Sequence, residues 1–403
     1  MTIRRALPSF ILSVLLLVPA IGSAQTSDEL FAPDVLHDVY LRINTRELEL
    51  LRANYDVNTY YPADIQWGTA IVRNVAVRSR GDGSRNAHKL GLRVDVDYFV
   101  AGQQFVGLDS LVLDNLNQDA SMVHEHAAMA LFARMGQVAP RTGFARLFIN
   151  NEYQGVYGLV EEPNEAFVER RFGPDSGYLF EYHWLQPYYF DDLGEDLGLY
   201  EQTFEARTHE LSAPSLLYGP LRELVRIEEG ESLNQWRERV SAYIDLNQLV
   251  TMVAIEEFLS ELDGLTGAAG MNNFYLYRPR DSDRHVLVPW DRDNAFYQTS
   301  SPIYLRAGEN RLVRQALAFP DLNALYLDRL AEAARTSSAD SWLEQLVRQA
   351  DSVVAAAALV DQRKPFTNEE REVSVRALID FAQRRPALVL EQIRQVQFPS
   401  VQP

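Results

Sequence analysis

The sequence contains no cysteine in 403 residues. This absence excludes disulfide bonds, catalysis by a thiolate, iron–sulfur clusters held only by cysteine, and zinc sites with sulfur ligands. A chain without covalent cross-links must draw its stability from a buried core. Its length is enough for a large core in two or three domains.

Positively charged residues are also scarce. The chain has 38 Lys and Arg against 56 Asp and Glu, which gives a formal charge of −18. Because nucleic acids are bound mainly through neutralisation of their phosphates by Lys and Arg, this balance argues against nucleic acid as the main partner. The hydrophobic fraction of 47% and the charged fraction of 23% exclude a mostly disordered or fibrous chain.

Long apolar runs are absent except near the N-terminus. Arg4 and Arg5 precede an apolar run from Phe10 to Ile21, and the small residues 22–24 follow it. This run is shorter than the roughly 20 residues of a membrane-spanning helix, and its flanks are typical of a secretory signal. We therefore predict a signal peptide at residues 1–24 and no transmembrane anchor after its cleavage. The mature chain is expected to be secreted, periplasmic or in the cell envelope, with a charge of 36 − 56 = −20.

The apolar pattern divides the remaining chain into two parts. Residues 25–162 are rich in alternating, β-branched segments, whereas helical periodicity dominates residues 163–403. This order predicts an α+β fold with a β-rich N-terminal domain and a mostly helical C-terminal domain. The predicted strands are 70–79, 92–100, 144–149, 153–160, 273–277 and 285–290, and the predicted helices include 45–53, 246–262, 310–319, 321–335, 339–357 and 368–395.

The most informative segment lies between residues 246 and 296. A core helix leads to Asp263, a Gly-rich loop follows, and Asn272-Asn273 precede the second predicted hairpin. That hairpin ends in Pro-Trp-Asp-Arg-Asp, which contains Asp291 and Asp293. A helix, an Asp, an Asn, two short strands and a later Asp follow one another in the catalytic half of protein kinases.

In protein kinases the first Asp of this order orients or deprotonates the acceptor hydroxyl, and the Asn and the later Asp hold Mg²⁺ on the nucleotide phosphates. Asp263 is the candidate for the first role. Asn272 or Asn273, together with Asp291 or Asp293, are candidates for the metal. Taken alone, an Asp after a helix or an Asn-Asn pair before a strand is more often an ordinary turn residue.

A cationic, Gly-rich segment in the N-terminal part fits the same chemistry. The turn that begins Arg80-Gly81-Asp82-Gly83 is followed by Lys89 and by Arg93 on a predicted strand. Together they offer backbone amides and cations to a phosphate chain, and Glu125 on the next helix offers a carboxylate that can orient a cation. The alternative is that Arg80, Arg85, Lys89 and Arg93 form a solvated edge.

Several stretches resemble the CotH family of spore-coat-protein-H-like kinases. They are residues 78–85 with Lys89, residues 116–122, 135–142 and 151–161, the run Asn272-Asn273-Phe274-Tyr275-Leu276-Tyr277, and residues 288–293. The Asn-Glu-Tyr-x-Gly-x-Tyr and Pro-Trp-Asp-x-Asp segments are the most distinctive. Together the stretches lie within about residues 36–395, nearly the whole predicted mature chain.

The resemblance implies a two-lobed fold similar to an atypical protein kinase, which uses ATP with Mg²⁺ or Mn²⁺ to phosphorylate proteins. By position, Asp263 matches the catalytic Asp, Asn272 or Asn273 a metal ligand, and Asp291 the metal-binding Asp.

For the nucleotide, the same resemblance makes Lys89 the better match for the cation that contacts the phosphates, with Arg93 as the fallback and Glu125 as the cation's partner. Glu161 and Glu162 fall at the hinge between the lobes, with backbone groups facing the adenine.

Two functions from different classes follow. The first is an exported kinase that phosphorylates Ser or Thr of a secreted or envelope protein whose identity the sequence does not give. The second is a non-catalytic surface or envelope protein that binds a partner or has a structural role on the same scaffold. Two departures motivate the second function: the gap from Asp263 to Asn272 is longer than in ordinary kinases, and no His-Arg-Asp or Asp-Phe-Gly triplet is present.

Overall fold

The computed structural model describes residues 25–174 and 177–397. The predicted signal peptide, residues 1–24, lies outside the described residues. The described chain contains both sheets and helices in a mixed order, so the predicted α+β class is confirmed.

The N-terminal part is built around a seven-stranded sheet. Its strands are β1 (Leu36–Ile43), β2 (Tyr61–Trp67), β3 (Ala70–Ser79), β4 (Leu92–Asp95), β5 (Ser110–Asp114), β6 (Thr142–Ile149) and β7 (Glu152–Val160). They form a closed barrel in the order β1-β2-β3-β4-β5-β7-β6, antiparallel except for the parallel pair β1 and β6. Val39, Leu41 and Ile65 belong to the apolar cluster that these strands bury.

The predicted strand over 92–100 is too long. The strand ends at Asp95, where its pairing with β5 also ends, and Tyr98, Phe99 and Val100 are exposed. Their β-branched and aromatic side chains favour a strand, but a strand also needs a neighbouring backbone to pair with.

Three helices accompany the barrel strands: α1 (Ser27–Leu30), α2 (Thr45–Ala53) and α3 (His124–Arg134). The bounds of α2 are those predicted, and the Asn44 side chain caps it by accepting a hydrogen bond from the Arg46 N–H at 3.0 Å.

A second, smaller sheet lies in the C-terminal part. It consists of β8 (Tyr178–Tyr182), β9 (Phe204–Ala206), β10 (Phe274–Arg278) and β11 (Val286–Pro289), in the antiparallel order β11-β10-β8-β9. The hairpin of β10 and β11 confirms the prediction. The sequence did not predict β8 and β9, which are short: β8 pairs with β10, which follows it by about 90 residues in the chain, and β9 pairs with β8.

All but the first of the remaining helices contribute to one large apolar core, and that first helix buries Phe167 and Val168 in a separate, smaller cluster. The remaining helices are α4 (Glu165–Phe172), α5 (Leu197–Thr203), α6 (Pro214–Val225), α7 (Leu233–Val240), α8 (Leu246–Leu259), α9 (Arg311–Leu317), α10 (Pro320–Ser338), α11 (Trp342–Val360) and α12 (Asn368–Gln397). The predicted helices of this region are present, with ends shifted by a few residues. Within the described ranges, none of the helices combines the length and the apolar composition needed to cross a membrane.

Helix α8 positions the candidate catalytic loop. Nearly all of its residues are buried, and Asp245 caps its start through the N–H groups of Asn247 and Gln248. The helix ends at Leu259 rather than at the predicted Leu262, because Ser260 has a left-handed backbone (φ 53°) and turns the chain. Asp263 consequently lies in the loop that follows the helix.

Glu257 on α8 makes the stability of this region pH-dependent. Burial raises the pKa of Glu257 to about 8, although a hydrogen bond from Thr266 in the loop opposes the rise. Because an unfolded Glu ionises near pH 4.5, the stabilising effect of this proton is complete below that pH and is lost as the pH rises through 8. A tenfold change in proton affinity corresponds to about 1.4 kcal/mol.

We therefore expect Glu257→Gln, which cannot ionise, to reduce the fall in Tm between pH 5 and pH 8, as measured by calorimetry. The matched control is Glu238→Gln on the exposed face of α7, which should keep the wild-type pH profile. If both variants show the same profile as the wild type, Glu257 does not cause the pH dependence.

Candidate functional site

A polar cleft of about 340 Å³ lies where the barrel meets the second sheet. Arg80 and Arg93 line it from the barrel side. Asn272, Asn273 and Asp291 line it from the segments that flank β10 and β11. The cleft therefore brings together residues that the sequence separates by about 180 positions or more.

The predicted catalytic loop assembles at this cleft. The Asp263 carboxylate accepts hydrogen bonds from the side-chain amides of Asn272 and Asn273, at 3.2 and 3.0 Å. Burial raises the pKa of Asp263, although these hydrogen bonds and Arg292 oppose the rise. The three residues that the sequence proposed for catalysis and metal binding are thus in direct contact.

Contacts near the two ends of the loop from Asp263 to Asn272 fix its shape. Glu261 accepts the Asp263 N–H at 2.9 Å, and the Gly264 carbonyl accepts the Asn272 N–H at 3.0 Å. A Cβ at Gly264 would lie only 2.7 Å from the carboxylate of Glu256, so only glycine fits this close approach. These contacts fold the long Asp-to-Asn segment back on itself and place Asp263 beside Asn272.

Asp291 joins the cleft through Arg80. The Arg80 guanidinium lies 3.0 Å from Asp114 at the end of β5 and 3.4 Å from Asp291, which follows β11. It also lies over the Trp290 ring, 5.6 Å from the centroid. Burial alone would lower the pKa of Arg80, but Asp291 and Asp114 outweigh this effect and raise it. Arg80 is therefore a firmly charged bridge between the two sheets.

Carboxylates are concentrated around this bridge. Burial first, and then the charges of Asp291 and Asp114, raise the pKa values of Glu125 and Asp293 well above those of free side chains. Burial also raises the pKa of Asp291, against the effect of Arg80. Such an excess of buried negative charge over cations is the environment in which a divalent cation with hard oxygen ligands is stabilised.

The two Asp residues of the Pro-Trp-Asp-Arg-Asp segment face different spaces. Asp291 lines the cleft, whereas Asp293 lines a neighbouring cavity of about 270 Å³, and its carbonyl forms a hydrogen bond of 2.9 Å with His124. The oxygen donors that line the cleft and fit Mg²⁺ or Mn²⁺ are accordingly Asp291 and the amide oxygens of Asn272 and Asn273, while Asp263 contacts both amides. Because a carboxylate only accepts hydrogen bonds, the NH₂ groups of Asn272 and Asn273 point to Asp263, and their oxygens are the atoms available to a metal.

Another group of potential ligands is already neutralised. In the described part of the chain, only Glu181, His183 and Glu205 place three ligand atoms within 4.8 Å of one another. His183 lies 2.7 Å from Glu205, and Arg207 lies 3.6 Å from Glu181 and 3.5 Å from Glu205. Because two bases face the two acids, this group has no excess negative charge to attract a metal.

Lys89 lies outside the cleft lining. Its side chain is fully buried, and its ammonium lies 2.8 Å from Asp361 and over the Tyr157 ring. The same carboxylate accepts the Val156 N–H at 3.0 Å. Gly155 makes this approach possible, because its φ is +120° and a Cβ there would lie 2.4 Å from Asp361. The structure thus places Lys89 in a link between the barrel and α11, while its contact with phosphates stays a prediction.

The other predicted nucleotide-binding residues are also occupied by partners. Arg93 lines the cleft but lies 2.9 Å from Glu162. Glu161 binds Arg141 at 2.6 Å and also Arg170, and its backbone N–H donates to the Arg141 carbonyl. Glu125 acts electrostatically on Arg80, and the carboxylate that pairs with Lys89 is Asp361.

The CotH kinase protein family model matches residues 77–389, which are 389 − 77 + 1 = 313 of the 403 residues. The chain belongs to the CotH family. The matched region contains every site residue that the sequence predicted.

One curated CotH relative is the inner spore coat protein H of Bacillus subtilis (strain 168), which is 22% identical over 230 residues. The match covers 55% of this chain and 58% of the relative, so the chain spans less than two thirds of that protein.

Sequence reasoning missed two residues of this CotH site. Asp114 holds Arg80, and a signal for it exists, because a lone carboxylate ends the otherwise apolar strand β5. Asn58 also lines the cleft, from the loop between α2 and β2. No local pattern singles it out, since an Asn in a loop is commonplace.

The buried Lys89–Asp361 pair gives a stability prediction. Lys89→Met leaves Asp361 buried without its cation, which typically costs about 3–5 kcal/mol. We expect a loss of this size in urea unfolding. The control is Arg384→Met, which breaks an exposed pair with Asp380 on α12 and should change stability by less than about 1 kcal/mol.

One outcome would support the contact with nucleotide phosphates that the family resemblance implies for Lys89. If Lys89→Met unfolds like the wild type but loses nucleotide binding, Lys89 contacts the phosphates and is not a structural link.

Proposed function

We propose that this CotH-family chain is an atypical protein kinase that transfers the γ-phosphate of ATP to Ser or Thr of secreted or envelope proteins. The observation that carries the proposal is the contact of Asp263 with Asn272 and Asn273 at a cleft that Asp291 also lines. These are the groups that phosphoryl transfer requires: one carboxylate for the acceptor hydroxyl and oxygen ligands for a metal.

The arrangement of the chain supports a two-lobed, kinase-like reading. The barrel would correspond to the N-terminal lobe and the helices with the second sheet to the C-terminal lobe. The polar cleft lies between them and receives residues from both. A closed barrel of seven strands is a departure from the sheet of an ordinary kinase, so we propose only the general layout.

Asp263 has the properties of an acceptor-side base. The acceptor hydroxyl would donate its proton to the carboxylate of Asp263 as the hydroxyl oxygen bonds to phosphorus and the bond to ADP breaks. Burial raises the pKa of Asp263, and a base whose pKa approaches the working pH is more effective. The amides of Asn272 and Asn273 hold the carboxylate in place.

The metal would be held by Asp291 and by the side-chain oxygens of Asn272 or Asn273. Mg²⁺ or Mn²⁺ bound there would neutralise the charge of the nucleotide phosphates. Asp and Asn are residue types that fit such an ion, because carboxylate and amide oxygens are its preferred protein ligands.

The proposed location is outside the cytoplasm. It is supported by the signal peptide predicted at residues 1–24 and by the name of the relative, which is a spore coat protein. A protein substrate in the same compartment would then be the acceptor.

One observation favours the alternative of a non-catalytic binding protein. Arg80 lies 3.4 Å from Asp291 and so competes with a metal for this carboxylate. In a protein that no longer transfers phosphate, this ion pair would keep a metal from binding to Asp291.

The test is transfer of γ-labelled phosphate from ATP to the chain itself or to an added protein, with Mg²⁺ or Mn²⁺. We expect Asp263→Asn to lower transfer about 100-fold or more, because an amide cannot accept the proton. Asp291→Asn should lower it through loss of a metal ligand, and this loss should be partly offset by a higher metal concentration.

The matched control is Asp281→Asn in the exposed turn between β10 and β11, which should transfer like the wild type. Equal transfer by all three variants would refute the assignment of Asp263 and Asp291. Binding of ATP without any transfer by the wild type would favour the non-catalytic alternative.

A further inference from the structure

We infer that Arg78, Arg85 and Asn58 form a clamp for the phosphate chain of a nucleoside di- or triphosphate. This inference rests on the proposed function, because it names the anion-binding part of the same cleft. All three residues line the cleft.

The first observation is that one acceptor holds two cations together. The side-chain oxygen of Asn58 accepts a hydrogen bond from Arg78 at 3.1 Å and another from Arg85. The charges are close enough to repel, since burial and then Arg78 lower the pKa of Arg85. Two adjacent guanidinium groups that share a neutral acceptor keep further N–H donors for an anion such as a phosphate.

The second observation is that neither cation has a counter-ion. In residues 25–174 and 177–397, no carboxylate lies within 4.0 Å of Arg78 or Arg85. Asp56 and Asp82 act on Arg85 only from a greater distance. Arg80 and Arg93, which line the same cleft, are both ion-paired. The available positive charge in the cleft is therefore on Arg78 and Arg85, to which the family resemblance assigned no role.

The third observation is that the two side chains are oriented without being neutralised. Arg78 donates to the Ser79 carbonyl at 3.0 Å and lies over the Tyr60 ring, and Arg85 donates to the Gly81 carbonyl at 2.6 Å. Carbonyls and an aromatic face fix a guanidinium but leave its charge for a ligand. Such prior fixing lowers the entropy that binding must overcome.

The turn between the two arginines explains how they meet. Gly81 has a φ of +99°, and a Cβ at this position would lie 2.3 Å from the Ser84 hydroxyl. The glycine thus allows the tight turn after β3 that brings Arg85 back beside Arg78. Because Asp291, Asn272 and Asn273 line the same cleft, a phosphate chain there would meet arginines on one side and the proposed metal ligands on the other.

This arrangement selects the length of the phosphate chain. Two planar guanidinium groups offer several donors, which match a di- or triphosphate better than a single phosphate. We expect Arg78→Gln and Arg85→Gln each to weaken ADP binding about ten- to a hundredfold, because each removes charge-assisted hydrogen bonds. The affinity for adenosine should not change.

Asn58→Asp is the more selective variant. It keeps the size of the side chain but places a carboxylate between the arginines, which should fill the clamp with an internal counter-ion. We expect an unchanged or higher Tm together with weaker binding of ADP, so this result cannot arise from misfolding. The matched control is Arg73→Gln, an exposed position on the same strand that loses the same charge and does not line the cleft.

The measurement is calorimetric titration of the purified chain and its variants with ADP, AMP, adenosine and inorganic tripolyphosphate, each with Mg²⁺. Tight binding of ADP and tripolyphosphate that the Arg78, Arg85 and Asn58 variants weaken, and Arg73→Gln does not, supports the clamp. This support holds even if the wild type transfers no phosphate, in which case only the proposed kinase function fails.

Equal ADP binding by the wild type and all variants overturns the clamp and leaves kinase activity open. A wild type that binds neither ADP nor tripolyphosphate also overturns it.

Discussion

The cleft depends on Arg80, which holds the two sheets together at the point where the candidate site forms. Asp114 ends a barrel strand and Asp291 follows a strand of the second sheet, and a single guanidinium lies between them. Without that cation the two carboxylates would repel each other in a buried setting, together with Glu125. A buried guanidinium in turn needs a carboxylate partner, because a lone buried charge costs several kcal/mol. The position of Asp291 at the cleft is therefore inseparable from that of Arg80.

The cations of this chain consequently fall into two classes. Arg80 and Lys89 are buried and form ion pairs with carboxylates from distant segments, so their charges are neutralised and connect parts of the fold. Arg78 and Arg85 are held only by neutral acceptors. In a chain with a formal charge of −18, free positive charge inside a cleft is unusual. The chain is negatively charged overall but has a local, positively charged site in the cleft.

The sequence predicted those features that local patterns determine. The α+β class, the hairpin of β10 and β11, and the order of Asp263, Asn272 and Asp291 follow from periodicity and from residue types close together in the chain. The closed barrel did not follow, because the pairing of β1 with β6 joins residues about 100 positions apart. The partner of Lys89 is 272 positions away, and no spacing rule could connect it to Asp361. The sequence alone therefore could not show that Lys89 lies in a buried ion pair with Asp361.

Arg80 pairs with two carboxylates, and this affects whether Asp291 could also bind the proposed metal. If Arg80 had Asp291 as its sole partner, metal binding to that carboxylate would leave a buried guanidinium without a counter-ion. Asp114 removes this difficulty, because it lies closer to Arg80, at 3.0 Å against 3.4 Å, and can keep the charge neutralised. Asp291 is thus the carboxylate that can be shared, and Asp114 is the one that stays with Arg80. On this argument, loss of Asp114 should impair metal binding at Asp291 although Asp114 itself is not a ligand.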